Sequence, residues 1–228
     1  MSLTFLQRVS LGIYSLVMYA LTPLTFIHLV SRGFNQREYF HRWSERFAMY
    51  RAPAKASCLW LHAVSVGEVN AITPLLKSLR EHYPDTPLLI TTTTPTGSAR
   101  VKSLFGDQVQ HVYLPYDTPG AVNYFLNYFR PKIAIIMETE IWPNLFAEIG
   151  KRNIPLLIVN ARLSQRSMRG YRIISGLMHI ATQAVTQVAA QSIADLQRYQ
   201  KLGIRPNQGQ VTGNLKFDVE LPVQLSEQ

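Results

Sequence analysis

Cysteine is nearly missing from this 228-residue sequence, in which Cys58 stands alone. A single cysteine excludes a disulfide within the chain and a zinc site built on cysteines, and it fits a reducing compartment. The six histidines are scattered without metal-ligand spacing, so we expect no metal site. One of them, His62, falls on a strand predicted to be buried and is interpreted as a hydrogen-bonded core residue. Internal repeats and low-complexity segments are also missing.

Charged residues are absent altogether from positions 9–30, a run of 22 residues. At about 1.5 Å per residue, a helix over this run covers roughly the 30 Å hydrocarbon core of a bilayer. Pro23 is tolerated in such a helix because neighbouring groups satisfy the freed carbonyl. No small-x-small cleavage site follows Ala20, which disfavours a cleaved signal peptide. We therefore predict a membrane anchor, and the alternative is a buried core helix.

Acidic residues are outnumbered, with 14 Asp and Glu against 23 Lys and Arg, and the formal net charge is +9. Arg8 precedes the uncharged run, and six basic residues follow it: Arg32, Arg37, Arg42, Arg46, Arg51 and Lys55. This asymmetry predicts that the bulk of the chain lies in the cytoplasm. Each cation near anionic lipid contributes about 1 kcal/mol, so the cluster favours a membrane. Nucleic acid is the weaker partner because no aromatic–basic recognition motif is present.

Behind the basic residues, apolar runs of strand length alternate with amphipathic runs of helix length, as is typical of a parallel sheet covered on both faces. We predict a doubly wound, Rossmann-like α/β domain over 57–218, preceded by an anchor (1–31) and a basic neck (32–56), with 219–228 beginning a linker. The predicted strands are 58–64, 88–93, 109–114, 133–137, 156–160 and 184–189. The predicted helices are 69–82, 97–104, 119–128, 143–152, 168–180 and 193–202.

The loop after the first predicted strand carries Glu68, and in open α/β sheets such loops bind ligands. Gly67 permits a tight turn, but one glycine is not a dinucleotide fingerprint and no Walker lysine follows. A carboxylate at a helix start is stabilised by the helix dipole, so Glu68 is interpreted either as a helix cap or as a general base.

Glu138 and Glu140 follow the fourth predicted strand at alternate positions. Two partly buried carboxylates repel each other, so at least one needs a cation or a raised pKa, which makes the pair a candidate site. The alternative is an exposed loop with two solvated acids.

Arginine and serine residues cluster after the fifth predicted strand: Arg162, Ser164, Arg166, Ser167 and Arg169. Guanidinium groups, hydroxyls and the N–H groups of a helix start suit a phosphate or an anionic lipid, and a solvated basic face is the equal alternative. The hydroxyl-rich segment 91–100, which includes Thr96, is similarly ambiguous. Near the end of the chain, Lys216 beside Asp218 has an ammonium that could neutralise developing negative charge, the alternative being an ordinary turn.

Six ordered motifs together resemble the Kdo (3-deoxy-D-manno-octulosonic acid) transferases of Gram-negative lipopolysaccharide synthesis. They are WLHAVSVGE (60–68), TPTG (94–97), LPYD (114–117), METEIWPN (137–144), NARLS (160–164) and TGNLKFD (212–218). The resemblance implies an inverting glycosyltransferase of the two-Rossmann-domain (GT-B) type that acts without a metal. It also implies transfer of Kdo from CMP-Kdo to the phosphorylated, acylated lipid A precursor at the inner membrane, with one span and a cytoplasmic catalytic domain.

By the same resemblance, Glu68 is the base that deprotonates the acceptor, and Glu138 and Lys216 stabilise the transition state. Substrate contacts are expected from Thr96, Glu140, Arg162, Ser164 and Arg166. The family continues into a second, CMP-binding domain, whereas this sequence stops at Gln228. We therefore expect this polypeptide alone to bind acceptor and to turn over poorly. The alternatives are another lipid-directed GT-B enzyme and a non-catalytic membrane module that binds a phosphorylated lipid.

Overall fold

The computed structural model describes residues 3–51, 53–54 and 57–215, in which a parallel sheet carries helices on both faces. Its seven strands lie in the order β3-β2-β1-β4-β5-β6-β7, and every neighbouring pair is parallel. Their bounds are β1 (Leu59–His62), β2 (Leu88–Thr92), β3 (Gln110–Tyr113), β4 (Ile133–Met137), β5 (Leu156–Ala161), β6 (Gln187–Ala190) and β7 (Gly209–Val211). The predicted doubly wound architecture is confirmed.

Ten α-helices accompany the strands in the described residues. They are α1 (Phe5–Asn35), α2 (Trp43–Arg46), α3 (Val66–Ala71), α4 (Thr73–His82), α5 (Pro95–Phe105), α6 (Pro119–Phe129), α7 (Pro143–Lys151), α8 (Gln165–Ile173), α9 (Ser175–Gln183) and α10 (Ile193–Lys201). Three short 3-10 turns occur at Arg37–Phe40, Gly106–Gln108 and Pro206–Gln208.

The structure departs from the predicted elements at three places. The helix predicted at 69–82 is two helices, because Pro74 in the first turn of α4 lacks the N–H that a continuous helix needs. The helix predicted at 168–180 is also divided, at Ile174, which leaves the helical conformation. The strand β7 was not predicted, since it is three residues long and its side chains are half-buried or exposed.

Two apolar layers sandwich the sheet. One layer, under α6, α7 and α9, is built around Trp60, Phe125, Phe129 and Phe146, all fully buried. The other, under α3, α4 and α5, contains Leu61, Ile72, Leu76 and Ile90. Because β1 and β2 are buried on both faces, their sequences read as continuous apolar runs rather than as alternating ones.

The helix α1 is long and apolar enough to cross a membrane, and in the described residues it is the one helix of that kind. It begins at a capping box, in which Thr4 and Gln7 satisfy each other's backbone N–H groups. Only Leu29 and Gly33 of α1 are buried, so the alternative of a core helix is wrong. The exposed side of the helix is lined by large apolar side chains: Ile13, Leu16, Leu24 and Ile27.

The opposite side of α1 lies against the α/β domain and carries its polar groups. The Tyr14 hydroxyl donates to Asp117 Oδ2 at 3.0 Å, and the Ser15 hydroxyl donates to Asn144 Oδ1 at 2.8 Å. The Tyr19 hydroxyl accepts the N–H of Gly120, at the start of α6, at 3.1 Å. The predicted anchor is therefore bonded to the domain along its first half rather than joined to it by the neck alone.

The predicted neck also packs on the domain. Arg46 is 6% exposed, and its Nη2 donates to the Thr93 carbonyl at 2.8 Å while its guanidinium lies 4.2 Å from the Tyr113 ring centre. Arg42 forms a forked ion pair with Glu45 at 2.7 and 2.8 Å. Arg32 Nη1 donates to the Tyr39 hydroxyl at 3.1 Å. Three of the six basic residues assigned to a lipid surface thus contact protein, and a fourth, Lys55, lies outside the described residues.

Asp117 joins α1 to the start of α7. Its carboxylate accepts the N–H groups of Asn144 at 3.0 Å and Leu145 at 2.8 Å, and it also accepts the Tyr14 hydroxyl. Burial raises the pKa of Asp117 to about 6, although these hydrogen bonds favour the ionised form. At neutral pH, Asp117 caps α7 and also binds α1 through the Tyr14 hydroxyl.

Replacing Asp117 by Ala should lower the free energy of unfolding at pH 8 by about 2 to 3 kcal/mol. The substitution removes a helix cap and leaves two buried N–H groups without an acceptor. Urea denaturation in detergent micelles measures the change, and Asp107→Ala, at an exposed position, is the matched control. Equal stability of the two variants would contradict the role given to Asp117.

Candidate functional site

The loops after β1, β2, β4 and β5 meet at the carboxyl edge of the sheet, and Glu68 lies there in the first turn of α3. Its Oε2 accepts the N–H of Val64 at 2.9 Å, and its Oε1 accepts the hydroxyl of Ser65 at 3.1 Å. Ser65 is the N-cap of α3. Glu68 therefore does hold the turn, as the capping interpretation predicts, and this places its carboxylate at a defined position at the mouth of the sheet.

The loop after β4 bears the other two acids. Glu138 has a left-handed backbone (φ 54°), its N–H donates to the Val159 carbonyl at 3.0 Å, and its carbonyl accepts the buried Tyr199 hydroxyl at 2.7 Å. Two residues later, Glu140 Oε2 accepts the indole N–H of Trp142 at 3.1 Å. Both acids are half-buried, so the alternative of two freely solvated acids is wrong.

The structure brings the three carboxylates close enough to affect one another. The pKa of Glu68 is raised to about 7, mainly by burial and also by the negative charges of Glu138 and Glu140, against the lowering effect of the Val64 and Ser65 hydrogen bonds. Burial and Glu138 likewise raise the pKa of Glu140. A carboxyl group with a pKa near 7 is half ionised at neutral pH, which suits a general base.

The Arg162–Ser164 segment adjoins the acidic loop. The Thr139 hydroxyl donates to the Arg162 carbonyl at 2.8 Å, and the Tyr171 hydroxyl donates to the Thr139 carbonyl at 3.2 Å. Ser164 is the N-cap of α8 and accepts the N–H of Ser167 at 3.0 Å. The Arg162 and Arg166 side chains are exposed.

The loop after β2 closes the other side of the Glu68 turn. Thr94 caps α5, and its hydroxyl also donates to the Val64 carbonyl at 3.0 Å. A β-carbon on Gly97 would lie 3.1 Å from that same carbonyl, so a glycine is needed for this close approach. Thr96 is exposed on the first turn of α5. Sequence reasoning singled out Thr96, whereas Thr94 makes the contact with the Glu68 turn.

Two further predictions concern single residues. Lys216 lies outside the described residues, which end at Leu215. His62 is fully buried, its Nδ1 is 2.8 Å from the Thr91 hydroxyl, and burial lowers its pKa to about 4. The interpretation of His62 as a hydrogen-bonded core residue is confirmed. In the described part of the chain, no group of three or more His, Cys, Asp or Glu side chains is arranged to hold a metal ion.

Comparison with known proteins assigns this arrangement to one family. Residues 41–219 match the family model described as 3-deoxy-D-manno-octulosonic-acid transferase. The chain is 43% identical over 201 residues to the 3-deoxy-D-manno-octulosonic acid transferase of Haemophilus influenzae, covering 86% of this chain and 46% of the relative. It is 38% identical over 220 residues to the enzyme of that name from Bordetella pertussis, covering 92% and 50%. The chain thus spans about half the length of the curated relatives it matches.

Solved structures share the fold at low sequence identity. The UDP-GlcNAc 2-epimerase from Neisseria meningitidis bound to UDP-GlcNAc superposes with a TM-score of 0.53 at 14% identity, over 70% of this chain and 47% of the epimerase. A putative UDP-N-acetylglucosamine 2-epimerase from Listeria monocytogenes gives 0.51 at 15% identity, over 72% and 48%. These likenesses concern the fold alone.

Replacing Glu68 by Gln should stabilise the protein at pH 8 and leave its stability at pH 4 unchanged. The folded-state pKa of about 7 exceeds the ordinary value of 4.5, so the folded state binds more protons between these values and wild-type stability falls as the pH rises through them. Glutamine keeps an acceptor for the Val64 N–H without the charge. Urea denaturation at both pH values measures the effect, and the exposed Glu81→Gln is the control. A less stable Glu68→Gln variant at pH 8 would contradict the raised pKa.

Proposed function

Because this chain belongs to the Kdo transferase family of glycosyltransferases, we propose that it provides the acceptor side of Kdo transfer from CMP-Kdo to the lipid A precursor. The observation that carries the proposal is the half-buried Glu68 carboxylate, with a pKa of about 7, beside two further carboxylates. A carboxylate that destabilises the fold at neutral pH is typical of an enzyme that must deprotonate a hydroxyl, because stability is lost where catalysis needs an unfavourable charge.

In the proposed reaction, Glu68 takes the proton of an acceptor hydroxyl, whose oxygen attacks the anomeric carbon of Kdo. The bond from that carbon to the phosphate of CMP breaks, the configuration inverts, and CMP leaves with the electron pair. A positioned base contributes about 10²- to 10⁴-fold in rate, equivalent to roughly 3 to 5 kcal/mol.

The remaining site residues act on charge and binding. The Glu138 carboxylate stabilises the positive charge that develops on the sugar, and the Lys216 ammonium stabilises the negative charge on the leaving group. Thr96, Glu140, Arg162, Ser164 and Arg166 contact substrate in this proposal. The two arginines suit a phosphate of the acceptor because guanidinium groups bind phosphates in a fork. No cofactor is needed, and CMP-Kdo is the donor substrate.

The apolar face of α1 supports a location at the inner membrane. The lipid acceptor keeps its acyl chains in a leaflet, so a helix bonded to the domain through Tyr14 and Ser15 keeps the carboxyl edge of the sheet near the headgroups. The arginine-rich segment after α1 favours a cytoplasmic domain by the positive-inside rule.

Replacing Glu68 by Gln or Ala should lower the rate of Kdo transfer at least about 100-fold while acceptor affinity stays within about threefold, because a base acts only in the chemical step. Transfer from CMP-Kdo to the lipid A precursor is measured with this chain alone and with the chain joined to the unmatched half of the Haemophilus influenzae relative. We expect the chain alone to bind acceptor with little or no turnover.

The matched control is Glu148→Gln, on α7, where the carboxylate pairs with Lys151 and Arg152 away from the acidic loop. It should transfer at the wild-type rate. Unchanged transfer by Glu68→Ala would instead favour a non-catalytic lipid-binding module. A different donor sugar used in place of Kdo would favour another lipid-directed glycosyltransferase.

Replacing Leu16 and Leu24 by Asp should release the chain from vesicles that contain anionic phospholipid. Both side chains are exposed on the outward face of α1, so the fold is spared, and each charge costs about 2.5 to 3.5 kcal/mol inside the bilayer. Flotation on a density gradient measures the bound fraction. The control replaces two exposed residues of the α/β domain, Ile193 and Val211, by Asp. Equal binding of the two variants would contradict the anchor.

A further inference from the structure

Asn160, the residue before the last of β5, bonds to two other segments of the chain. Its side-chain Oδ1 accepts the N–H of Leu215 at 3.1 Å, and its carbonyl accepts the Nε2 amide of Gln191 at 3.0 Å. Asn160 is 1% exposed. A buried amide oxygen therefore holds the backbone of the last described residue, and the next residue in the chain is Lys216.

The conformation of Asn160 explains how its side chain reaches Leu215. Its backbone is left-handed (φ 52°), and the pairing of β5 with β6 shifts register between Ile158 and Ala161 around it. Asparagine tolerates this conformation better than other residues with a β-carbon except aspartate. The turn at Gly213 (φ 84°) then brings Leu215 back over the sheet, where it packs against the layer that contains Met137.

Asn160 also lies next to the acidic loop. The carbonyl of the preceding residue, Val159, accepts the N–H of Glu138, which is left-handed as well. Two consecutive residues near the end of β5 therefore hold two other segments: Val159 binds Glu138, and Asn160 binds Leu215. The Nδ2 group of Asn160 is buried without a hydrogen-bond partner in the described structure. Such a group is costly to keep for packing alone.

We propose that Asn160 is a positioning residue for the transfer reaction: by binding the Leu215 N–H beside the Glu138 turn, it fixes the backbone that directly precedes Lys216. The proposal rests on the proposed function and adds a residue to it that does not touch the reacting atoms. Asn160 acts through Lys216, and the effect of its loss should depend on that lysine.

The test is a double-mutant cycle with Asn160→Gly and Lys216→Ala in the fused protein described above. Glycine accepts the left-handed backbone but removes the amide. We expect Asn160→Gly to lower kcat about tenfold with KM changed less than about threefold, since misplacement affects the chemical step. In the Lys216→Ala background the same substitution should lower kcat less than about twofold. The control is Asn153→Gly, at an exposed left-handed asparagine away from the site, which should leave kcat unchanged.

A second measurement is independent of activity. Amide hydrogen exchange at Leu215, read by mass spectrometry with single-residue fragmentation, should be at least about tenfold faster in Asn160→Gly than in wild type or Asn153→Gly. Three results would each overturn the role of Asn160. The first is unchanged exchange at Leu215, and the second is full activity of Lys216→Ala. The third is a double variant whose loss of kcat equals the product of the two single losses. Absence of transfer by the unsubstituted fusion would contradict the proposed function itself, whatever the exchange at Leu215.

Discussion

Parallel pairing of β1 with β2 on one side and with β4 on the other determines where the chemistry of this protein can occur. The chain moves outward from β1 to β2 and β3, then returns and continues from β4 to β7 in the opposite direction. The loops that follow β1 and β4 therefore diverge and leave a crevice at the switch of direction. Glu68 follows β1, and Glu138 follows β4. Two acids 70 residues apart in the sequence are adjacent because these two strands share hydrogen bonds.

Like charges in that crevice oppose folding at neutral pH, and the surrounding structure compensates for them locally. Glu68 keeps two hydrogen bonds within its own turn, and Glu140 keeps one from Trp142. The backbone of Glu138 is held by Val159 and by the fully buried Tyr199. The loops that carry these carboxylates are thus held in place although burial raises the pKa of Glu68 and of Glu140. This combination of a rigid setting and an unfavourable charge is typical of a catalytic site.

The helix α1 is connected to the same crevice through polar contacts. Asp117 binds Tyr14 of α1 and also caps α7, the helix that directly follows the acidic loop. Arg46, in the neck, binds the Thr93 carbonyl next to Thr94, which in turn binds the Glu68 turn. The apolar helix α1 and the carboxyl edge of the sheet, which are distant in sequence, are linked through these contacts, so the orientation of one constrains the orientation of the other.

Sequence alone determined the architecture, because strands buried on both faces and amphipathic helices leave strong periodic patterns, and it determined the family through six ordered motifs. It also located the acids, since polar residues directly after apolar strands stand out. It did not determine that Thr94 rather than Thr96 contacts the Glu68 turn, that Arg46 is buried, or that Asn160 binds Leu215. Those facts depend on contacts between segments 30 to 60 residues apart and on left-handed backbone, which no local pattern encodes. Only the tertiary structure placed three carboxylates together in a half-buried crevice, where desolvation and mutual repulsion raise the pKa of Glu68 to about 7.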